Sequence, residues 1–194
     1  GYAPDSWSAL IDGLAAKGIS QKELETAGLA IKRQSGSGYY DRFRQRLMFV
    51  YMDPTGQPIA FSGRVIGAAD EHQAKYINSP ETPEYTKGKV LYGLHQARVP
   101  ISKSGEAILV EGNFDVVSVA QAGMENVVAP LGTALTSEQA GLLRRRVDRV
   151  IVMFDGDDAG RAAAVRAFPI LANAGIASYI VPLPDGDDPD SFVR

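Results

Sequence analysis

Cysteine is absent from the 194 residues of this sequence, and histidine occurs only twice, at His72 and His95. The absence of cysteine excludes disulfide bonds, thiolate zinc sites and cysteine catalysis, and it is compatible with a cytoplasmic location. Two histidines without a partner pattern do not predict a histidine-rich metal site. No stretch approaches the roughly 18 apolar residues of a membrane span, and the N-terminus has no basic segment followed by an apolar one. Any catalysis by this chain must therefore depend on carboxylates.

The composition is that of an ordinary globular protein, with 45% hydrophobic and 22% charged residues. The net charge of −3 conceals an asymmetry between the two parts of the chain. Residues 1–104 carry 13 basic against 10 acidic side chains, whereas residues 105–194 carry 7 against 13. A basic half beside an acidic half suits a polyanion held on one side and metal ions on the other. Small imbalances of this kind are also common in proteins without such ligands.

The first part of the sequence predicts a small α+β subdomain. The predicted elements are helices over residues 6–18 and 20–27, and strands over 47–52 and 58–66. Ser6 is placed to cap the first helix, and Ser20 with Glu23 forms the capping-box pattern of the second. Asp53-Pro54-Thr55-Gly56 is a proline-led turn that ends in glycine, so the two strands should form a hairpin.

From about residue 88 onward, predicted strands and helices alternate. The strands cover 107–111, 126–130, 149–154 and 177–182, and the helices cover 115–122, 136–146 and 158–173. Thr136 and Gln139 form a capping box, whereas Pro169 is expected to kink or interrupt the last helix. Alternation of strands and helices with short loops predicts an α/β fold, in which helices cover a parallel sheet.

Carboxylates follow the predicted strands in three short clusters, from Glu111 to Asp115, from Asp155 to Asp158 and from Asp185 to Asp190. In an open parallel sheet, ligands and chemistry collect beyond the carboxyl ends of the strands. Acidic groups a few Å apart repel one another unless a positive charge compensates them. Oxygen ligands favour a hard divalent cation such as Mg²⁺, and Mg²⁺ held by a few carboxylates is typical of phosphoryl transfer.

The individual acids allow two interpretations, metal ligand or helix N-cap. Glu111, Asp155 and Asp157 precede the predicted helix starts, and we expect them to converge within about 5 Å, close enough to share one ion. Asp158 is more simply explained as an N-cap, and Asp115 fits either interpretation equally well.

Basic residues alternate in one segment of the first part, at Arg42, Arg44 and Arg46. In an extended strand all three would project from one face, where arginine could bind phosphate. A solvated edge strand protected by its charges would give the same pattern. Arg144, Arg145 and Arg146 end a predicted helix and are explained by the helix dipole. Trp7 and the Tyr39-Tyr40 pair are interpreted as packing residues.

Several separated motifs of the second part resemble those of the Toprim domain, a catalytic module shared by bacterial primases, some topoisomerases, small nucleases and recombination-mediator proteins. They are Val110-Glu111-Gly112 followed by Asp115, Leu131-Gly132-Thr133, Phe154-Asp155-Gly156-Asp157 with Ala159-Gly160-Arg161, and Asp188-Pro189-Asp190. The resemblance implies a Rossmann-like parallel sheet flanked by helices. It also implies that Asp188 and Asp190 are additional metal ligands, although their spacing alone would favour an ordinary acidic turn.

The first part is similar to the basic subdomain of the bacterial replicative, DnaG-type primase. The similar segments are Tyr40-Asp41-Arg42-Phe43-Arg44, Phe61-Ser62-Gly63-Arg64, Lys75 to Thr82, Lys87, and Leu91-Tyr92-Gly93-Leu94. The resemblance implies a primase catalytic core, with residues 1–87 as the α+β basic subdomain and residues 88–194 as the Toprim domain. We expect the chain to be a fragment, because it lacks the zinc-binding domain, the helical end of the polymerase core and the helicase-binding domain of such primases.

The resemblance implies synthesis of short RNA primers from ribonucleoside triphosphates on a single-stranded DNA template, with Mg²⁺ or Mn²⁺ as cofactor. The implied catalytic residues are Glu111, Asp155 and Asp157, and the implied metal ligands are these three with Asp115, Asp188 and Asp190. Nucleotide or DNA binding is assigned to Arg42, Arg44, Arg64, Lys75, Asn78 and Lys87. The replicative helicase would be a partner only through a domain outside this sequence. No membrane partner is expected, and the location would be cytoplasmic, in bacterial or phage replication machinery.

Two alternatives remain compatible with the Toprim-like motifs. The first is a Toprim nuclease or a topoisomerase fragment. A nuclease would leave the arginine and lysine motifs of the first part unexplained, and a topoisomerase needs a nucleophilic tyrosine in a further domain. The second is a recombination-mediator scaffold without enzymatic activity, but such proteins carry a cysteine zinc module, which this sequence lacks.

Overall fold

The structure, a computed structural model, describes residues 1–67, 74–130, 132 and 134–194. His72, Leu131 and Thr133 lie outside the described residues, so only the glycine of the Leu131-Gly132-Thr133 motif can be placed. The contacts divide the chain into a first unit, Gly1–Tyr51 with Pro58–Thr86, and a second unit, Met52–Gln57 with Lys87–Arg194. Across the described residues, no helix combines the length and the apolar character that crossing a bilayer requires.

The first unit contains antiparallel strands and two short helices among its described residues. Its helices are α1 (Ala9–Ala15) and α2 (Gln21–Thr26), and its strands are β1 (Tyr2–Ala3), β2 (Ala30–Lys32), β3 (Tyr39–Asp41), β4 (Arg46–Met52), β5 (Pro58–Val65) and β6 (Tyr76–Asn78). The strand order is β1-β4-β5-β6 in one sheet, and β2 pairs with β3 in a second, two-stranded sheet. The predicted helices and the β4–β5 hairpin are therefore present, with shorter helices than the sequence indicates.

The two helix starts of the first unit illustrate local and long-range capping. In α2, the Ser20 side chain accepts from the Glu23 N–H and Glu23 reaches back, so the predicted capping box is confirmed. The predicted Ser6 cap of α1 is wrong, because the helix begins later, at Ala9. Its free N–H groups are satisfied by the buried carboxylate of Asp41, which accepts from Leu10 at 2.7 Å and from Ile11 at 3.1 Å.

Arg46 is buried inside the first unit, with only 4% of its surface exposed. Its guanidinium donates to the backbone oxygens of Gly63 and Ala74, each at 3.0 Å. The prediction that the alternating arginines share one exposed face is therefore wrong. β4 begins only at Arg46, and Gln45 before it takes a left-handed φ of 52°, which breaks the alternation of an extended chain.

The second unit is an α/β sheet in which helices alternate with parallel strands, as predicted. After a 3₁₀ turn at Lys87–Lys89, its elements are α3 (Leu94–Ser104), β7 (Glu106–Leu109), α4 (Asn113–Gln121), β8 (Val127–Val128), α5 (Ser137–Arg144), β9 (Arg149–Val152), α6 (Asp158–Asn173), β10 (Ala177–Ile180) and α7 (Pro189–Phe192). The strand order is β10-β9-β7-β8, and all three pairings are parallel. The Thr136–Gln139 capping box is confirmed at α5. Helix α6 runs through Pro169 without interruption.

Helices cover both faces of this sheet because its central strands are apolar on both sides. Leu109 packs with residues of α3, α5 and α6, whereas its neighbours Ile108 and Val110 pack with Val116 and Val119 of α4. Because the strand is buried on both faces, its sequence is a continuous apolar run and does not alternate with polar residues. The polar residues that follow β7 and β9 are consequently brought to one edge of the sheet, the edge at which the strands end.

Candidate functional site

Glu111 connects the ends of the two central strands of the second unit. It lies two residues beyond β7, and Asp155 lies three residues beyond β9, which is the neighbouring strand. The backbone N–H of Asp155 donates to Glu111 Oε1 at 3.1 Å. This bond holds the Glu111 carboxylate next to the turn that carries the second acidic cluster.

Asp157 is the N-cap of α6, and its Oδ1 accepts from the Gly160 N–H at 2.7 Å. The expectation that Asp158 would be the cap is wrong. Asp158 is the first helical residue, its carboxylate is exposed, and it pairs with Arg161 at 3.0 Å. Asp157 therefore combines a structural role with its place in the acidic cluster, and one of its oxygens is directed at the helix N-terminus.

Gly156, between the two acids, is held from both sides of its backbone. Its N–H donates to the Asp187 carbonyl at 2.8 Å, and its own carbonyl accepts from Arg161. Arg161 also donates to Asp185 Oδ1 at 2.8 Å, so one guanidinium joins the turn after β9 to the last acidic segment. A Cβ on Gly156 would lie 2.0 Å from the Pro184 carbonyl oxygen, which explains the need for glycine here.

Asp115 and Asp188 complete the cluster from two further helix starts. Asp115 is buried in the first turn of α4, where its Oδ2 accepts from the Gly112 N–H at 2.8 Å. Asp188 is the N-cap of α7 and accepts from the Ser191 N–H at 2.7 Å. The Asp188-Pro189-Asp190 segment, for which spacing alone favoured an acidic turn, is thus the start of a capped helix with proline in its first turn.

Asp190 has hydrogen-bond partners outside this group of carboxylates. The Ser118 hydroxyl of α4 donates to Asp190 Oδ1. Arg194 also donates to both Asp190 oxygens, at 3.1 and 2.9 Å. The structure therefore brings together Glu111, Asp115, Asp155, Asp157 and Asp188, which we call the acidic cluster, and it ties Asp190 to α4 and to Arg194.

Negative charge in the acidic cluster is poorly compensated. Burial, and after it the charge of Asp155 and Asp188, raises the pKa of Asp115 to about 7. Burial is also the main cause that raises the pKa of Glu111, with Asp155 and Asp157 adding repulsion. The pKa of Asp155 is raised by burial and by Asp188 and Asp157. Carboxylates with raised pKa values at one sheet edge are a recognised sign of a functional site.

The donor set of the acidic cluster fits a hard divalent cation, because all its side-chain ligand atoms are carboxylate oxygens. A bound cation would also relieve the repulsion that raises these pKa values. Within the part of the chain that the structure describes, however, no three acidic or histidine side chains are already arranged to hold an ion together. Asp155 and Asp157 both lie near enough to act on Glu111 by charge repulsion, and Asp157 turns one oxygen to the α6 N-terminus, so the convergence of these three acids on one ion stays a prediction.

In the first unit, the predicted DNA-binding arginines have partners of their own. The Arg42 guanidinium donates through Nε and Nη2 to the Asn78 carbonyl, at 3.1 and 2.9 Å. Arg44 lies over the ring of Trp7, 4.1 Å from its centroid, and 5.1 Å from the centroid of Tyr40. Trp7 is 58% exposed and its ring packs edge-on against Tyr40 with 5.4 Å between the centroids, so it is a packing residue at the surface and not in the core. This surface stack of Trp7, Tyr40 and Arg44, in which Tyr40 and Arg44 are half-buried, was missed because the sequence does not reveal that Trp7 faces solvent.

The remaining predicted basic residues are distributed over both units. Arg64 lies over the ring of Tyr76, and Lys75 is exposed just before β6. Lys87 belongs to the second unit, where it begins the 3₁₀ turn. Arg64, Lys75 and Asn78 belong to the first unit.

Comparison with known proteins first identifies the class of domain to which the second unit belongs. The family model described as Toprim-like matches residues 108–193, and Toprim domains generally bind divalent metal ions. The model described as DNA primase catalytic core, N-terminal domain, matches residues 1–98, half of the chain. The chain therefore belongs to the DNA primase catalytic-core family, which confirms the resemblance seen in the sequence.

Individual relatives agree with this assignment along the whole chain. A DNA primase of Halalkalibacterium halodurans is 43% identical over 194 residues, which are all of this chain and 32% of that protein. The Aquifex aeolicus primase structure with zinc-binding and RNA polymerase domains is 44% identical, with a TM-score of 0.92 over all of this chain and 47% of that one. A DnaG primase catalytic domain bound to single-stranded DNA is 38% identical, with a TM-score of 0.89 over all of this chain and 60% of that one. The chain thus spans about a third of the length of the curated relatives it matches.

Proposed function

We propose that this chain is the nucleotidyl-transfer part of a DNA primase, which makes short RNA from ribonucleoside triphosphates on single-stranded DNA with Mg²⁺ or Mn²⁺. The observation that carries the proposal is the acidic cluster at the ends of β7 and β9, with its uncompensated charge. The names of the relatives support it, since they are DNA primases.

Each acid of the cluster has a distinct part in this proposal. Asp155, Asp188 and the oxygen of Asp157 that does not cap α6 would hold divalent metal, together with Asp115. The bound ion would lower the pKa of the attacking 3′-hydroxyl and offset the charge of the triphosphate. Glu111 is suited to accept the proton of that hydroxyl, because burial raises the pKa of its carboxyl towards the working range of a general base. Asp190, tied to Ser118 and Arg194, would orient α7 rather than bind the first ion.

The surface stack of the first unit, with its exposed Trp7, is suited to the template strand. Unstacked bases bind to aromatic and guanidinium faces without regard to sequence, at about 1–3 kcal/mol per base. Trp7 and Arg44 offer such faces, and Arg64 and Lys75 supply further positive charge. Lys87, in the second unit, is assigned to the triphosphate. In this proposal Arg42 holds the backbone at Asn78 in place instead of binding DNA with its whole guanidinium.

Primer extension and metal binding test the catalytic part of the proposal separately. An RNA primer annealed to a single-stranded DNA template is incubated with the chain, ribonucleoside triphosphates and Mg²⁺ or Mn²⁺. We expect extension by the wild type and by Asp158→Asn, whose carboxylate is exposed outside the cluster, and none by Asp155→Asn. In a calorimetric Mn²⁺ titration, Asp155→Asn should bind at least about tenfold more weakly.

Two results would contradict this assignment. Mn²⁺ affinity that is equal in the wild type and in Asp155→Asn would remove the metal site from the acidic cluster. Metal-dependent cleavage of DNA without nucleotides, in place of extension, would favour a Toprim nuclease. For the template surface, Trp7→Ala should weaken binding of an oligo(dT) strand at least about fivefold, whereas Tyr2→Ala, an equally exposed aromatic control, should not.

A further inference from the structure

A depression about 430 Å³ in volume lies in the second unit, along α5 from Ser137 to Arg145 and beside the C-terminal end of α6. Arg144, Arg145, Ser137 and Asn173 contribute its polar side chains, and among the described residues no carboxylate lines it. We call it the arginine depression. It is remote from the acidic cluster, because Asp158 and Asn173 are the two ends of α6, a 16-residue helix of about 22 Å.

Both arginines have guanidinium groups available for a ligand. Within the described residues, neither Arg144 nor Arg145 forms an ion pair or a side-chain hydrogen bond. Arg144 reaches from α5 to the turn after α6, where its Nε lies 3.5 Å from the position that a Cβ on Gly175 would occupy. The third arginine of the run, Arg146, differs because it donates to the Leu142 carbonyl at 2.7 Å and does not line the depression.

The helix dipole explains only part of this charge. Each helix C-terminus contributes about half a negative charge, so the C-termini of α5 and α6 together offset about one of the two arginines. About one positive charge is left over. The lining also offers guanidinium N–H groups, an amide NH₂ and a hydroxyl, which are donors suited to an anion with several oxygens. Guanidinium groups bind phosphate bidentately, and the volume exceeds what one small ion would fill.

We propose that the arginine depression binds phosphate groups, presented by a nucleic-acid strand or by free pyrophosphate. The two sources share the same chemistry and are separated by the experiment. The site does not depend on the proposed polymerase activity, since it lies at the opposite end of α6 from the acidic cluster and requires no metal.

The test measures binding of sodium pyrophosphate to the chain by calorimetry at low salt, with a chelator present so that the acidic cluster cannot bind the probe through a metal. The double variant Arg144→Gln/Arg145→Gln should bind at least about tenfold more weakly, a loss of about 1.4 kcal/mol. Arg146→Gln removes the same charge two residues further on and should stay within about twofold. A second variant, Asn173→Asp, keeps both arginines and should weaken binding as strongly, because it adds a negative charge to the lining.

The source of the phosphate follows from a second arm with an oligo(dT) strand over a range of salt concentrations. If a strand crosses the depression, the double variant should lower the salt slope by about 0.7 to 1.4, since each neutralised phosphate contributes about 0.7. If the salt slope is unchanged while the double variant still binds pyrophosphate more weakly than Arg146→Gln does, the site would be assigned to a free phosphate compound. The proposal would be overturned if all variants bound pyrophosphate with equal affinity, or if Arg146→Gln lost as much affinity as the double variant.

Discussion

Asp115 offers the sharpest physical test of the acidic cluster. It is 9% exposed, and burial together with neighbouring negative charge raises its pKa to about 7. The substitution Asp115→Asn removes the charge and keeps the shape, and the amide oxygen can still accept from the Gly112 N–H. The variant should therefore differ from the wild type mainly in the cost of ionising one buried carboxyl.

The size of this cost follows from the difference between the two pKa values. The ordinary value of 3.8 applies to the unfolded chain, and the folded value is about 7, a difference of about three pH units. At about 1.4 kcal/mol per unit, ionised Asp115 costs the folded state about 4 kcal/mol, an upper value because the cluster can relax. Between these two pKa values the folded state holds a proton that the unfolded state has lost, so stability falls as the pH rises.

Urea unfolding in the presence of a chelator measures this effect. We expect Asp115→Asn and the wild type to have nearly equal free energies of unfolding at pH 4. Above pH 7.5 the variant should be more stable, by up to about 4 kcal/mol. Asp158→Asn is the control, since its carboxylate is exposed and its difference from the wild type should not vary in this way. A difference for Asp115→Asn that stays flat from pH 4 to 8.5 would refute the assignment of a buried, uncompensated charge.

Replacing the chelator with Mg²⁺ extends the same experiment to the proposed metal. If the cation binds the ionised cluster, it should stabilise the wild type at pH 8 more than at pH 5, where Asp115 is protonated. Asp115→Asn should gain less from Mg²⁺ at pH 8 than the wild type does. Equal gains in both proteins would separate Asp115 from the metal site while leaving its raised pKa untouched.

The sheet of the second unit could be predicted because its strands bury both faces. Apolar runs such as Val150 to Phe154 are long enough to be recognised, and the acids that follow them necessarily reach one edge. The short strands β1, β2, β3 and β6 were missed, since two or three residues show no periodicity and their pairing depends on distant partners. Helix α3 was missed because Pro100 inside it argues against a helix.

The direction of individual side chains could not be predicted from the sequence. Asp157 and Asp158 differ by one position, and only the backbone turn decides which of them caps α6. The burial of Arg46 depends on carbonyl groups contributed by β5 and by Ala74, which are far away along the chain. The exposure of Trp7 depends in the same way on long-range packing around α1. The candidate site was therefore predicted as a set of residues, and its internal hydrogen bonds were not.

Three further predictions concern the turn between β9 and α6. Asp157→Ala should lower the free energy of unfolding by about 1 kcal/mol, because the variant loses the α6 cap. Asp155→Ala should leave the free energy of unfolding unchanged or raise it. Equal effects of the two variants in thermal unfolding would contradict the capping geometry. Gly156→Ala should lower the free energy of unfolding by about 2–3 kcal/mol in the same assay, because the Pro184 carbonyl oxygen belongs to the backbone and cannot rotate away. A melting temperature equal to that of the wild type would refute the close contact. Arg161→Gln should weaken Mn²⁺ binding several-fold in calorimetry, because the guanidinium joins Gly156 to Asp185. Asp158→Asn removes only an exposed ion pair and should not weaken it. Loss of the Arg161 charge by itself would strengthen the binding of a cation, so Mn²⁺ affinity that is unchanged or higher in Arg161→Gln would mean that Arg161 does not position the turn.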